Sequence, residues 1–378
     1  VNQVRDDLLR TSNLLVSDVV YSCDDPAASI ECGAETPRGI SNNANTGLVF
    51  VDKTLASDSY DAELEYNSAY LMYDHTFDSS WQVIVGGRYE TYKQITNTFS
   101  LQGEQGSVQS VIDEDSILPS VGVNWFVSDT HQLRFALSQT VARPDFKEAA
   151  NATFYDNEFN VRVRGNPFLE ISNIINADLR WEWYLSEIDN LSVALFYKDM
   201  DKPIERVVQA ASGTAGNTRT FQNSDSAALY GVELDGRFEF ILGDGYDQTL
   251  FFAFNAAFIE SEVSANNQED RSLQGQPEYT ANLIFGYDHI SAGHQLTVLL
   301  NQNGKSIADV GVSGQPDVFL EPRLDLNVVY RFGISDSLTL KAKLENLLDD
   351  EIEYTQGGQI FQVYNRGPSI QVGLDWQF

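Results

Sequence analysis

The sequence predicts an all-β protein, an antiparallel transmembrane β-barrel of about 13 strands, on three observations. Long segments alternate apolar and polar residues with period two. Short and long connections between those segments alternate strictly. No run approaches the roughly 18 uninterrupted apolar residues of a membrane helix.

The alternation is plainest in four places. In 177–185, Ala177, Leu179, Trp181, Trp183 and Leu185 share one face, and Asp178, Arg180, Glu182 and Tyr184 the other. In 231–241, Val232, Leu234, Phe238 and Phe240 oppose Glu233, Asp235, Arg237 and Glu239. In 323–332, Leu324, Leu326, Val328, Tyr330 and Phe332 alternate with Arg323, Asp325, Asn327, Val329 and Arg331. In the last segment, Ile370, Val372, Leu374, Trp376 and Phe378 oppose Ser369, Gln371, Gly373, Asp375 and Gln377. Such a period means strands with one apolar and one polar face. Tyr70, Leu71, Met72 and Tyr73 break the pattern in the first strand.

The predicted strands are 62–76, 81–95, 117–127, 131–143, 173–185, 190–205, 228–242, 248–262, 277–290, 294–304, 318–333, 337–347 and 368–378. They exceed the roughly 5–6 residues of a globular strand and reach the roughly 9–11 that a tilted membrane strand needs. Short turns are expected near 78–80, 128–130, 186–189, 243–247, 291–293 and 334–336. Long loops are expected at 96–116, 144–172, 206–227, 263–276, 305–317 and 348–367. Outer-membrane barrels connect strands in this way, with short periplasmic turns and long extracellular loops. The polar faces would line a lumen, and the apolar faces would meet lipid. A large soluble β protein such as a propeller is the competing fold, but no blade-length repeat is visible.

Parity then divides the chain into 1–60, an extracellular loop region, and 61–378, the C-terminal part of a barrel. Bacterial single-chain barrels have an even strand number, so an odd number of strands is expected upstream. The opening VNQVRDDLLR is not a signal peptide. A net charge of −31 argues against nucleic acid as a partner. It fits solvated loops or loops that bind divalent cations. Cys23 and Cys32 lie in a polar stretch, and a disulfide across one extracellular loop is the expectation.

The end of the chain, LKAKLENLLDDEIEYTQGGQIFQVYNRGPSIQVGLDWQF, carries an ordered set of motifs. Asn346, Leu347 and Asp349 form an Asn-Leu-x-Asp element, followed by Tyr354. A turn of Arg366, Gly367 and Pro368 leads to a last strand ending in Phe378. Together these resemble the close of TonB-dependent outer-membrane receptors, although the order around Arg366 departs from the commoner Gly-Arg pattern. QTVARPDF at 139–146, RGNPFL at 164–169, WEWYL and ALFYKDMDKPIE follow in an order similar to receptors of Caulobacter- and Xanthomonas-type bacteria.

The resemblance implies a barrel of about 22 strands in the outer membrane. It also implies energised uptake of a scarce solute, with coupling to a TonB-type protein through an N-terminal plug that this sequence lacks. The subgroup implies a carbohydrate; a siderophore or other metal chelate is the alternative. A passive porin or structural outer-membrane protein is the reading from a different class. Outer-membrane lipid, lipopolysaccharide and the barrel-insertion machinery are the further partners. Gly373, Leu374, Trp376 and Phe378 resemble the assembly signal that the machinery reads.

Phe154, Tyr155, Phe159, Arg162 and Arg164 lie in the longest interior loop. Aromatic rings stack on sugars, and arginines bind carboxylates through two bonds, so these five are the expected ligand contacts. The acidic runs Asp113–Asp115 and Asp349–Glu351 offer oxygen ligands for loop-bound calcium, without the spacing of an EF-hand. No other cofactor is expected. His75, His131, His289 and His294 show no catalytic spacing, so no enzymatic activity is expected.

Overall fold

The structure is a computed structural model. It describes residues 59–98, 108–156, 161–210, 217–243, 245, 247–265 and 270–377, with a two-residue antiparallel pair, Tyr21–Ser22 and Leu48–Val49. Cys23, Cys32, Phe159 and Phe378 lie outside the described residues.

Long strands form one antiparallel sheet of thirteen. They are β1 Tyr60–Phe77, β2 Trp81–Thr98, β3 Val108–Phe126, β4 His131–Ala142, β5 Ser172–Tyr184, β6 Asn190–Asp201 and β7 Ser226–Leu242. They continue as β8 Gln248–Ser264, β9 Tyr279–His289, β10 His294–Asn303, β11 Arg323–Ser335, β12 Leu338–Glu345 and β13 Ser369–Trp376. Each pairs with its neighbour in the chain, from β1 at one edge to β13 at the other. No helix among the described residues is long and apolar enough to cross a membrane; crossing falls to the strands.

Pairing in register turns the period-two pattern into continuous stripes. Phe135, Leu179, Leu195, Val232 and Phe258 are successive partners across β4 to β8. Leu195 is 52% and Phe258 55% exposed, which water would penalise and lipid would not. The stacked pair Trp81 and Trp125, with ring centroids 5.0 Å apart, marks the short-turn end of this face. Tyr70–Tyr73 fall on edge strand β1, where Leu71 is 82% exposed.

All six expected short turns lie at one end of the sheet. At the other end the expected long loops carry short strands of their own, which the sequence reading did not foresee. Eight short strands form a second sheet, in the order Gln359–Tyr364, Ile352–Gln356, Val318–Leu320, Ser306–Gly311, Ile204–Ala210, Asn217–Asn223, Val161–Arg164 and Thr153–Asp156. The strand expected at 190–205 is two elements, as is that at 318–333. β3 begins at Val108 rather than 117, so Asp113, Glu114 and Asp115 lie on a strand, not in a loop.

Two of the buried apolar clusters sit in the loop sheet. Val208, Val318, Ile352 and Tyr354 pack as one buried cluster. Val207, Ile307, Val310 and Val312 form another. Gly311 is required here, because a Cβ would lie 2.0 Å from the Gln315 carbonyl oxygen.

Candidate functional site

The recurring motifs build the loop end. In RPDF, Asp145 caps the short helix α1, Phe146–Ala149. Its carboxylate accepts from Lys147 N at 3.3 Å, and Glu148 accepts from Asp145 N at 2.9 Å, a reciprocal capping box. Arg143 donates to Glu90 at 2.7 Å and stacks 4.5 Å from the Tyr92 ring centre. In RGNPFL, Gly165 passes against α1, where a Cβ would come within 2.0 Å of the Ala150 carbonyl. Asn166 donates to the Phe221 carbonyl at 2.9 Å and accepts from Phe168 N at 3.0 Å.

The C-terminal motif is a turn built on left-handed residues. Asn346 and Asp349 both have φ of 53°. Asn346 accepts Asp349 N at its carbonyl and donates its side chain to the Gly367 carbonyl at 3.1 Å. Tyr354 is a buried member of the loop core. Asp350 accepts from Leu324 N at 2.8 Å. Among the described residues no three histidine, cysteine or acidic side chains converge as metal ligands.

The hairpin Thr153–Asp156 with Val161–Arg164 sorts the expected ligand contacts. Tyr155 opposes Arg162, Thr153 opposes Arg164 and Phe154 opposes Val163. Tyr155, Arg162 and Arg164 therefore share one face, and all three are exposed. Arg164 also donates to Asn151 at 2.9 Å. Phe154 turns to the other face, edge-on to Tyr60 at 6.2 Å and 5.9 Å from Lys147 Nζ. Phe168, not among the expected contacts, is 84% exposed, four residues after Arg164.

Charges that sequence reasoning also missed lie buried behind that face. Asp309, wholly buried, pairs with both Arg206 and Arg219. Arg219 Nη1 reaches Asp156 Oδ2 at 3.4 Å. Burial pushes the Asp309 carboxyl up, against the pull of the two guanidiniums. Glu205 accepts both arms of Arg271, at 2.8 and 2.7 Å, and Gln274 N at 3.2 Å. Burial pushes its carboxyl up, but Arg271 and Ser224 pull harder, so Glu205 titrates below the ordinary range. Single charges in loop sequence carry no period that would have flagged them.

A polar belt crosses the lumen face of the barrel sheet. Asp235, Asn255, Asn282, Asn301 and Asp325 are successive partners across β7 to β11. Asn255 donates to Asp235 at 2.5 Å and Asn301 to Asn282 at 2.5 Å. Arg180 joins Glu182 at 3.1 Å and Asp235 at 3.2 Å. A recess of about 1050 Å³ elsewhere is walled partly by Leu195, Tyr230 and Phe258. Those residues belong to the lipid-facing stripes, and none of the described expected contacts, Phe154, Tyr155, Arg162 and Arg164, lines the recess.

The family model of the TonB dependent receptor-like β-barrel matches residues 31–347. The chain belongs to this TonB-dependent receptor family. It is 25% identical over 229 residues to the "iron-regulated outer membrane virulence protein" of Vibrio cholerae, covering 57% of this chain and 32% of that one. The chain thus spans about a third of the curated relatives it matches. Among solved structures, the siderophore receptor PiuA of Acinetobacter baumannii aligns with TM-score 0.60 and 13% identity, over 84% of this chain and 44% of its own. The ferric yersiniabactin uptake receptor FyuA of Yersinia pestis aligns with TM-score 0.58 and 16% identity, over 83% and 45%. The ferric enterobactin receptor of Pseudomonas aeruginosa gives 0.52 and 14%, over 84% and 54%. At these identities the structures establish the fold alone. As a TonB-dependent receptor barrel, the protein belongs in the cell outer membrane. The family is one of transporters rather than enzymes.

Proposed function

We propose that this barrel serves energised uptake of a ferric chelate, with a TonB-type protein as the energy source. The observation that carries the reading is the exposed face of Tyr155, Arg162 and Arg164. In a chain of net charge −31, two outward arginines on one hairpin suit an anionic ligand, because guanidinium binds carboxylate-like oxygens in a paired geometry. A ferric complex of catecholate or carboxylate groups has that chemistry. The iron-related names of the relatives support the same substrate class.

The expected carbohydrate substrate gives way to the alternative for two reasons. Its stacking platform is thinner than expected, since Phe154 faces away from Tyr155. No relative reported above is named for a sugar. Coupling through a plug, contacts with lipopolysaccharide and recognition by the insertion machinery belong to the same proposal.

Equilibrium binding to the purified receptor tests it. The panel is a ferric tris-catecholate, a ferric trihydroxamate, their iron-free forms and a maltooligosaccharide. At least one ferric complex should bind with a Kd of about micromolar or tighter, and Arg162→Ala with Arg164→Ala should weaken it tenfold or more. Binding of the oligosaccharide alone would return the carbohydrate reading.

A further inference from the structure

Four charged residues from three separate loops form one chain, buried at its centre, Asp309 and Arg219, and half-buried at its ends, Arg206 and Asp156. Asp156 lies between β4 and β5, Arg206 and Arg219 between β6 and β7, and Asp309 between β10 and β11. Asp309 is wholly buried and Arg219 is 2% exposed. Asp309 stands at a β-bulge, where the register shifts between Ile307 and Asp309; bulges re-aim side chains. Its carboxylate meets Arg206 on one side and Arg219 on the other. Arg219 continues to Asp156 Oδ2 at 3.4 Å, and Asp156 ends the strand that carries Tyr155. The backbone follows the same route. Val207 pairs in parallel with Val310, and Arg219 with Val163.

We propose that Asp309 is a positioning residue for ligand recognition. Through Arg219 it fixes the paired strands Thr153–Asp156 and Val161–Arg164, and so the placing of Tyr155, Arg162 and Arg164 before the ligand arrives. This rests on reading that face as the ligand-binding one. Burying a charged chain adds little stability compared with apolar packing, but breaking one strands an uncompensated charge and can fix a single arrangement. A face ordered in advance spares binding the cost of ordering it. The guanidinium fork is what lets Arg219 reach two carboxylates at once; a lysine ammonium is a single point charge.

The test uses the full receptor with three variants: Asp309→Asn, Arg219→Lys, and Asp309→Asn combined with Arg219→Met. Hydrogen exchange at residues 153–164, thermal unfolding, and affinity for the ferric tris-catecholate or ferric trihydroxamate are read on each. Asp309→Asn should speed exchange at 161–164 and weaken binding tenfold or more, with barrel strands protected as before. Arg219→Lys keeps a cation beside Asp309 and should fold, yet lose affinity to a similar degree. The double variant removes Arg219, the more deeply buried of the two cations that Asp309→Asn strands, so its unfolding temperature should return part of the way toward wild type while its affinity stays low. Affinity returning with stability would overturn the proposal, as would unchanged exchange at 153–164 in Asp309→Asn and Arg219→Lys. A wild-type receptor that binds neither chelate sinks the ferric-chelate reading instead; the exchange data then decide positioning by themselves.

Discussion

At Glu205 burial and charge pull in opposite directions. Burial favours the neutral acid, but the Arg271 fork, the Ser224 hydroxyl and Gln274 N hold the carboxylate. The native pKa is therefore depressed below that of the unfolded chain. A depressed carboxyl contributes stability that is present above its unfolded pKa, about 4.3 for glutamate, and lost as pH falls through the native value. Hydrogen exchange at 204–210 and 271–276 should be slow at neutral pH and accelerate only below about pH 4.3. Glu205→Gln should speed it at neutral pH and lose the acid dependence, since breaking a buried pair costs about 3–5 kcal/mol. Acid-insensitive exchange in the wild type would refute the assignment. Glu321, which accepts from Lys305 at 2.7 Å and from Thr355, is shifted down in the same way after burial is overcome.

Elements differ in how much of them the sequence discloses. β1 to β13 were legible because one face of each meets lipid and the other the lumen, which enforces period two over many residues. The short turns were legible for the same reason: the pattern stops on both sides of them. The loop strands were not. Val207 and Val208 are adjacent and both buried, so no alternation marks that strand. Its partner, Ser306–Gly311, lies about a hundred residues away, and only folding brings the two together. The hairpin of Tyr155 and Arg162 shows a similar split: residue types single out Tyr155, Arg162 and Arg164 as candidate contacts, whereas the shared face of these three and the turning away of Phe154 follow from strand register.

Edge strand β13 offers a test of the face assignment. Trp376 lies on the lipid row, opposite Leu338. Asp375 lies on the lumen row and pairs with Lys341. A charge on the lipid face costs up to about 2–4 kcal/mol at the midplane and less near the interfaces; an exposed ion pair is worth about 0–1 kcal/mol. Trp376→Asp should lower the amount of full-length receptor in purified outer membranes severalfold, and Asp375→Asn should lower it little. Equal yields would show that the face assignment, or the proposed role of Gly373, Leu374 and Trp376 in assembly, is wrong.

For the whole molecule, two sheets divide the work. In the barrel sheet apolar stripes face lipid and a polar belt faces the lumen, with two small buried apolar clusters, around Tyr92 and Ile112 and around Met200, Ala227 and Val263. The loop sheet carries two further apolar clusters and the buried pairs of Asp309 and Glu205, so the loop end is built as a packed platform. That division suits a receptor which must hold a scarce ligand outside before moving it. A passive pore needs no such platform, and its flux would need no energy. The deciding measurement is uptake of radioactive iron, supplied as the ferric chelate that binds, by cells making the full-length receptor. Uptake should saturate, and should fall to background when the TonB-type protein is deleted or the proton gradient collapsed. Uptake that persists unchanged without that energy source, or never exceeds that of cells lacking the receptor, would contradict the account.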